Sequence, residues 1–269
     1  MLTLILGLIG GGVVGVLLAW WPGGPWWAAS GAVVGFALPV VLLNLWLKKK
    51  LEQVFLQVQE LLQGTQTTLR RKVNLMQNQF SGSPKVMQKL VEQQQNTSIR
   101  DAIKLLEGAR PLYKWNFLAE RQTNTLRAQL HYQLGEFEDA DRYLAKCFIL
   151  EPVTLAMKLS RQYMTGATKE NLDKAFTKAL KRYPYDKGVI LYALYSWILV
   201  KQERIDEAVK LLAEVKDKAE NETLRQNWEH LANGRVRSFS NAALGDQWYA
   251  LRVETPKPVK AKQQRFGRF

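Results

Sequence analysis

Residues 152–184 read PVTLAMKLSRQYMTGATKENLDKAFTKALKRYP, and their spacing decides the fold. Ala156, Leu159, Ser160 and Tyr163 recur at steps of one to four residues, and Leu172, Phe176 and Ala179 at steps of three and four. Such steps put side chains on one face of an α-helix. The stretch therefore predicts two helices joined by a tight turn and closed by Pro184. The same unit is written twice more between Arg121 and Glu220. The copy before it keeps its second helix best, as Leu134-Gly135-Glu136-Phe137-Glu138-Asp139-Ala140, then Leu144, Cys147 and Pro152. The copy after it reads Tyr192, Tyr195, Ser196, Leu199, Ile205, Ala208, Leu212 and Val215. A helix pair with one apolar face cannot bury that face alone, so it stacks on a copy of itself. The small residues Ala140, Ser160, Ala179, Ser196 and Ala208 let neighbouring helices approach. A plain helical bundle would also show helix pairs, but would not keep three anchors in phase with Pro152 and Pro184.

Taking Ala140, Leu172 and Ala208 as equivalent, the copies are 32 and 36 residues apart. These residues resemble the tetratricopeptide-repeat family, whose unit is a helix pair of 34 residues. The resemblance implies an α-solenoid in which the first helix of each pair lines a concave groove. Carried over, the groove positions are Gln129 and Tyr132, then Arg161 and Met164, then Trp197 and Lys201. Aromatic, basic and amide groups together suit a protein partner presented as an extended or helical peptide. The lysine–asparagine clamp of chaperone-binding members is missing, since Thr125 and Gln129 stand at its positions.

The first 47 residues carry no charged side chain. Leu2 to Trp21 would be about 30 Å long as a helix, enough to cross a bilayer. Trp21-Pro22-Gly23-Gly24-Pro25-Trp26 predicts a turn, and a second uncharged run, Trp26 to Leu47, ends at Lys48, Lys49 and Lys50. Trp20, Trp21, Trp26 and Trp27 would sit at one interface and Trp46 at the other. The expectation is a two-helix transmembrane hairpin. A cleaved signal peptide would show a basic leader and a small-residue cleavage site, and neither is present; a monotopic hairpin is the other alternative. The lysines beyond the second run put both termini, and everything after the hairpin, in the cytoplasm of a bacterial-type inner membrane. Gly7, Gly11 and Gly15 line one helix face, as do Ala28, Gly31 and Gly35 with Ala32 on the other helix. Such small faces permit close packing, either between the two spans or with another subunit, a homo-oligomer included.

Beyond the hairpin, Leu51, Val54, Phe55, Val58, Leu61 and Leu62 continue a helical stripe, which weakens at Gly64-Thr65 and resumes at Leu69. This predicts a juxtamembrane amphipathic helix over 48–82, lying along the headgroups or packed on the repeats. Ser83 and Ser98 each read as a helix start, with Ala102, Leu106 and Ala109 as the second helix of a degenerate repeat over 83–114. A last helix pair is expected from Leu224, Trp228 and Leu231 followed by Phe239, Ala242, Ala243, Trp248 and Leu251. The domains are then 1–47, 48–82, a repeat domain 83–254 with its cap, and a basic tail 255–269.

Charge separates partner classes. The net charge of +14 divides into +6 over residues 48–120, +3 over 121–255 and +5 over the last 14 residues. A nucleic-acid binder would carry the excess on its folded surface. Here it flanks the repeats, which favours anionic lipid, with Lys48, Lys49, Lys50, Lys257, Lys260, Lys262, Arg265 and Arg268 facing the bilayer. Cys147 is the single cysteine and reads as a packing residue. His131 and His230 have no ligand-spaced companions, so no metal or cofactor is expected. No nucleophile motif or nucleotide fingerprint is present, so an enzyme is not expected.

The layout is similar to that of HemY-type membrane proteins, which place two N-terminal spans before such repeats and are associated with haem biosynthesis; the similarity is one of architecture alone. The sequence therefore predicts an all-α, membrane-anchored adaptor or scaffold. The alternatives are a structural or assembly subunit of a membrane complex, and a regulator of a biosynthetic pathway.

Overall fold

The computed structural model describes residues 2–20, 25–79 and 84–256, and every regular element among them is helical. The chain divides into two compact units, Met1–Phe148 and Ile149–Phe269.

The first unit begins with two helices long and apolar enough to cross a membrane, α1 (Leu2–Ala19) and α2 (Pro25–Gln79). They run antiparallel, with Gly7 against Phe36 and Val40 at one end and Gly31 against Leu18 at the other. In the middle it is backbone that meets backbone. A Cβ added at Gly11 would fall 2.9 Å from the Ala32 carbonyl oxygen, and one at Gly10 would fall 2.8 Å from that of Gly35. Backbone cannot give way there, so glycine is what lets the two helices touch. The small faces are thus used on each other; Gly15 is half-buried, and the side chain of Ala28 lies outside the described residues. Gly12 points into open space.

α2 does not stop where the uncharged run ends. It is one helix of 55 residues, about 82 Å long, with Pro39 and Gly64 in its interior. The expected boundary after Leu47 is therefore not a break. Leu51, Val58 and Leu69, on the charged half, are buried. Their partners are α3 (Pro84–Glu107), the short α4 (Arg110–Tyr113) and α5 (Phe117–Leu134), which leads into α6 (Phe137–Leu144). Val58, Ile99, Ala102, Leu106 and Leu130 make one core cluster, and Leu51, Ala109 and Ala119 a second. The juxtamembrane helix is thus packed rather than laid along headgroups.

Two sequence expectations fail here. Ser98 does not start a helix; it lies inside the 24-residue α3, where its hydroxyl is 2.7 Å from that of Thr65 on α2. That bond satisfies a buried polar group, which is why a serine with the look of an N-cap can sit mid-helix. Consequently 83–114 is no helix pair; the faces read as a repeat (Ala102, Leu106, Ala109) are buried in the clusters that include α2. Ser83 lies outside the described residues.

The second unit contains α7 (Pro152–Met164), α8 (Lys169–Arg182), α9 (Val189–Lys201), α10 (Ile205–Val215), α11 (Glu222–Ala232) and α12 (Asp246–Tyr249). The residues taken as equivalent are equivalent locally. Ala140, Leu172 and Ala208 are each the fourth residue of their helix, α6, α8 and α10, with 0%, 2% and 0% of their surface exposed. The turns before them also match. Gly135, Gly166 and Glu203 each adopt a left-handed backbone, with φ of 79°, 79° and 61°. In each, that residue's N–H bonds the carbonyl three residues back, and the next N–H bonds the carbonyl five back. This doubly bonded stop satisfies carbonyls that the helix end would orphan. Gly234, with φ of 68°, repeats it after α11.

The segment after α11 differs from the expected second helix. Residues 236–244 form two 3₁₀ turns before the four-residue α12, and Trp248 and Leu251 are buried while Ala242 and Ala243 are exposed. Gly245, at φ 60° and ψ −135°, is in a conformation that breaks any helix through this segment. The closing element is a compact coil wrapped around one tryptophan.

Two predictions test this packing. Gly11→Val should lower the thermal stability of the purified chain in detergent by about 1–3 kcal/mol, whereas Gly12→Val should leave it unchanged; equal melting of the two variants would place the helix contact elsewhere. Glu203 occupies a backbone conformation that costs a residue with a Cβ about 1 kcal/mol, so Glu203→Gly should raise the melting temperature. A fall would mean that the side chain contributes more than its backbone strain costs.

Candidate functional site

The groove residues are built by the first helices of the pairs. On α5, Gln129 is half-buried, but Tyr132 is fully buried, edge-on to Phe137 with ring centroids 5.3 Å apart. Tyr132 immediately precedes the last two residues of α5, so its ring meets the first residue of α6 rather than an open channel. This corrects its reading as a groove anchor.

In the second unit, Trp197 is 6% exposed and is likewise a core residue. Its indole lies edge-on to Tyr163 of α7 and to Trp248, with centroid separations of 5.7 and 6.0 Å. Its Nε1 donates to Glu254 Oε1 at 2.7 Å, and Trp248 Nε1 donates to the other oxygen of the same carboxylate at 2.8 Å. The chain's own segment 246–254 therefore occupies the position that the repeat reading left for a ligand. A rim remains at the surface. Lys201 is exposed, with its ammonium 5.3 Å from the Trp197 ring centre. Met164 is exposed, and its sulfur accepts a weak bond from the half-buried Arg161 at 3.7 Å. Of the expected groove positions in this unit, Met164 and Lys201 are exposed and Arg161 is half-buried, with Lys201 lying over the Trp197 ring.

Sequence reasoning missed the polar groups that fix this unit. Arg204, on the turn between α9 and α10, forks onto Asp173 of α8 at 2.7 and 3.0 Å and onto Glu207 at 2.6 and 2.7 Å. Tyr195 of α9 donates to Asp173 Oδ1 at 2.9 Å and stacks on Phe176 at 4.4 Å. The Arg204 hydrogen bonds hold the carboxyls of Asp173 and Glu207 below the usual carboxylate range. Burial, and then the bond to Asp173, push the Tyr195 phenol well up, so it remains a donor. No local motif announces such a network, because Asp173 and Arg204 are 31 residues apart and each looks like an ordinary surface charge. A second set ties the end of the chain down: Asn227 Nδ2 donates to Asn241 Oδ1 at 2.7 Å, and Asn241 Nδ2 to the Ala193 carbonyl at 2.9 Å.

Among the described residues, His131, Glu136 and Asp139 bring three metal-capable atoms within 4.8 Å of one another. Each is already engaged, His131 with Glu136 at 2.8 Å, Glu136 with Arg100 at 3.5 Å and Asp139 with Arg142 at 3.3 Å. The chemistry is that of an ion-pair cluster joining the turn Gly135-Glu136 to its neighbours.

Of the cations expected to face lipid, Lys48, Lys49 and Lys50 are exposed on α2 just past the uncharged run, and Lys48 lies 3.7 Å from Glu52. Lys257, Lys260, Lys262, Arg265 and Arg268 lie outside the described residues. No family model, curated protein or solved structure matches the chain.

The network sets a pH dependence. Asp173 and Glu207 have folded pKa values below their unfolded ones, so their contribution is complete above the ordinary carboxylate range and is lost as pH falls through the lowered values. Asp173→Asn should cost about 1–2 kcal/mol at neutral pH and less in acid, where the wild type has lost the same bonds. Thermal melts from pH 7 down to pH 3 read this directly. A constant gap between the two proteins at every pH would remove the network from the acid limb.

Proposed function

We propose that this chain is a membrane-anchored helical-repeat adaptor of the tetratricopeptide type, holding a protein partner at the cytoplasmic face of an inner membrane. α1 and the first half of α2 cross the bilayer as a hairpin, and the helix pairs beyond it recruit the partner. The observation that carries the reading is the character of α2. Over its uncharged half it leaves Val33, Val34, Leu38, Val41, Leu42 and Leu45 each more than half exposed, and α1 does the same with Leu8, Val16 and Leu17. A contiguous apolar surface of this extent has no place in water. Past Lys48 the same helix becomes a core element of a folded unit. A span and a cytoplasmic domain sharing one helix make a rigid mount. Lys48 to Lys50 on one side, with no basic residue in the connecting turn, support the cytoplasmic orientation.

The rim of Arg161, Met164 and Lys201 is the contact offered to the partner, in place of the buried Tyr132 and Trp197. A second reading, a subunit of a larger membrane complex, is favoured by one feature. Val34, Ala37, Leu38, Val41 and Leu42 line a shallow apolar groove on α2, on the side away from Gly35 and Phe36, which suits another helix.

Two measurements test the proposal. A reporter active only in the cytoplasm should be active when fused after Phe269, and activity from a periplasm-dependent reporter there would overturn the orientation. Capture on the gently solubilised chain should return a soluble protein in stoichiometric amount, and Lys201→Glu with Met164→Ala should release it without changing helical content. An integral-membrane partner that the double variant retains would replace the adaptor with the complex subunit.

A further inference from the structure

Where the uncharged half of α2 gives way to its lysines, the first unit opens a pocket of about 660 Å³. That volume falls within the range of small-ligand pockets, roughly 300–1,000 Å³. Its walls come from the start of α1, from α2 between Asn44 and Phe55, and from the segment Trp115–Gln122 that begins α5. The pocket is amphipathic along its length. Leu47, Leu51 and Phe55 make an apolar wall, which continues through Leu4 to the exposed apolar surface of α1. Lys48 and Gln122 stand exposed at its rim. The polar groups that build the frame are already spent on one another. Thr3 Oγ1 donates to the Trp115 carbonyl at 2.9 Å, Asn116 Nδ2 to Asn44 Oδ1 at 3.3 Å, and the Leu2 N–H to the Lys114 carbonyl at 3.2 Å. These bonds fix the start of α1 against the start of α5 and so hold the pocket open as a formed feature.

We infer that this pocket binds one anionic phospholipid of the leaflet at which Lys48, Lys49 and Lys50 sit, its phosphate beside Lys48 and an acyl chain leaving past Leu47 and Leu4 toward the uncharged half of α2. The inference rests on the proposed membrane hairpin. The occupant is set by position and charge. The apolar wall begins within the uncharged segment, and the first cations of the chain come directly at its edge. Glu52 shares the rim, but its pair with Lys48 is loose, at 3.7 Å with the two side chains 59% and 73% exposed. Lys49 and Lys50 are not in the lining, but one and two residues away they lie within a Debye length and add their charge to that of Lys48, so a phosphate can take the place of Glu52 there. A soluble ligand would meet an apolar wall that opens onto lipid, whereas a lipid already presents its acyl chain there. A bound lipid would fill the gap between α2 and the start of α5, making the mount of the cytoplasmic helices depend on leaflet composition.

The test uses the full chain, extracted in mild detergent, stripped of lipid, and titrated with phosphatidylglycerol or with phosphatidylcholine while adducts are counted by native mass spectrometry. Wild type should retain phosphatidylglycerol in preference to phosphatidylcholine. Lys48→Ala, a surface change that leaves the core intact, should reduce that preference about five-fold, one lysine's contribution at an anionic surface. Gln122→Trp, which closes the pocket from its exposed rim, should abolish both adducts. Equal retention of the two lipids by wild type, or an unchanged preference in Lys48→Ala, would overturn the site. Alkaline carbonate extraction of native membranes separates this from the reading beneath it. A chain that stays in the pellet but shows no lipid preference refutes the pocket alone, and a chain released by carbonate refutes the spans.

Discussion

One helix leaves its apolar side chains exposed along its uncharged half and buries them along its charged half, and the first unit is arranged around that contrast. Along α2, Val33, Val34, Leu38 and Leu42 are exposed, yet Leu51, Val58 and Leu69 on the same helix are buried. A backbone that enters hydrocarbon must bond all its own N–H and C=O groups, which a helix does and a loop does not. Once formed, a helix extends at little further cost, one hydrogen bond gained for each residue fixed. Continuing α2 past Leu47 is therefore easier than ending it, because an end there would orphan four carbonyls. The charged half then needs only an apolar stripe to find partners, and Leu51, Val54, Phe55 and Val58 supply it to α3 and α5.

The repeated unit was legible because each part of it is local. Three- and four-residue spacing marks the faces, and Ala140, Leu172 and Ala208 mark the register. Both reappear at the fourth position of α6, α8 and α10. Gly135, read with the helix that follows it, is in fact the left-handed stop of α5. Glu203 does not look like a stop, yet it carries the same left-handed turn. The geometry there is set by two neighbouring helices and by Arg204, whose N–H completes the stop while its guanidinium grips Asp173 and Glu207. The sequence could show that a turn was needed between α9 and α10, but not that a residue with a side chain would bear the strain.

The candidate site was legible only as a set of helices. Spacing assigns a residue to a face, but whether that face is open depends on what later segments do. Trp197 was assigned to a groove by position, and Trp248 and Glu254 then cover it. Ser98 misled for the opposite reason. A serine ahead of an apolar stretch reads as a cap, but a hydroxyl partner 33 residues away on α2 lets it sit inside a continuous helix. In both cases a contact distant in sequence overrode a local preference, which is the general weakness of reasoning from one chain's periodicity. The division after Phe148 has the same origin. It arises from α3 and α5 sharing cores with α2, and no change of composition at that point announces it.

The way the second unit ends explains why its polar contacts are concentrated where they are. α9 is apolar around most of its circumference, with nine of its thirteen residues buried, so it needs neighbours on every side. α7, α8, α10 and α11 supply most of them. A further helix pair would cover the remainder, but it would expose a new apolar face of its own, and the problem would only move outward. A coil that contributes one large aromatic and bonds back to the helices closes the second unit without creating that face. Trp248 fills the volume, the Glu254 carboxylate takes up both indole N–H groups, and Asn241 bonds the Ala193 carbonyl beneath. Each of these polar groups would cost free energy if buried alone, roughly 1–3 kcal/mol, so they hold only as a set. The residue that looked like a ligand anchor is therefore buried for a structural reason, as one of the groups that close the second unit.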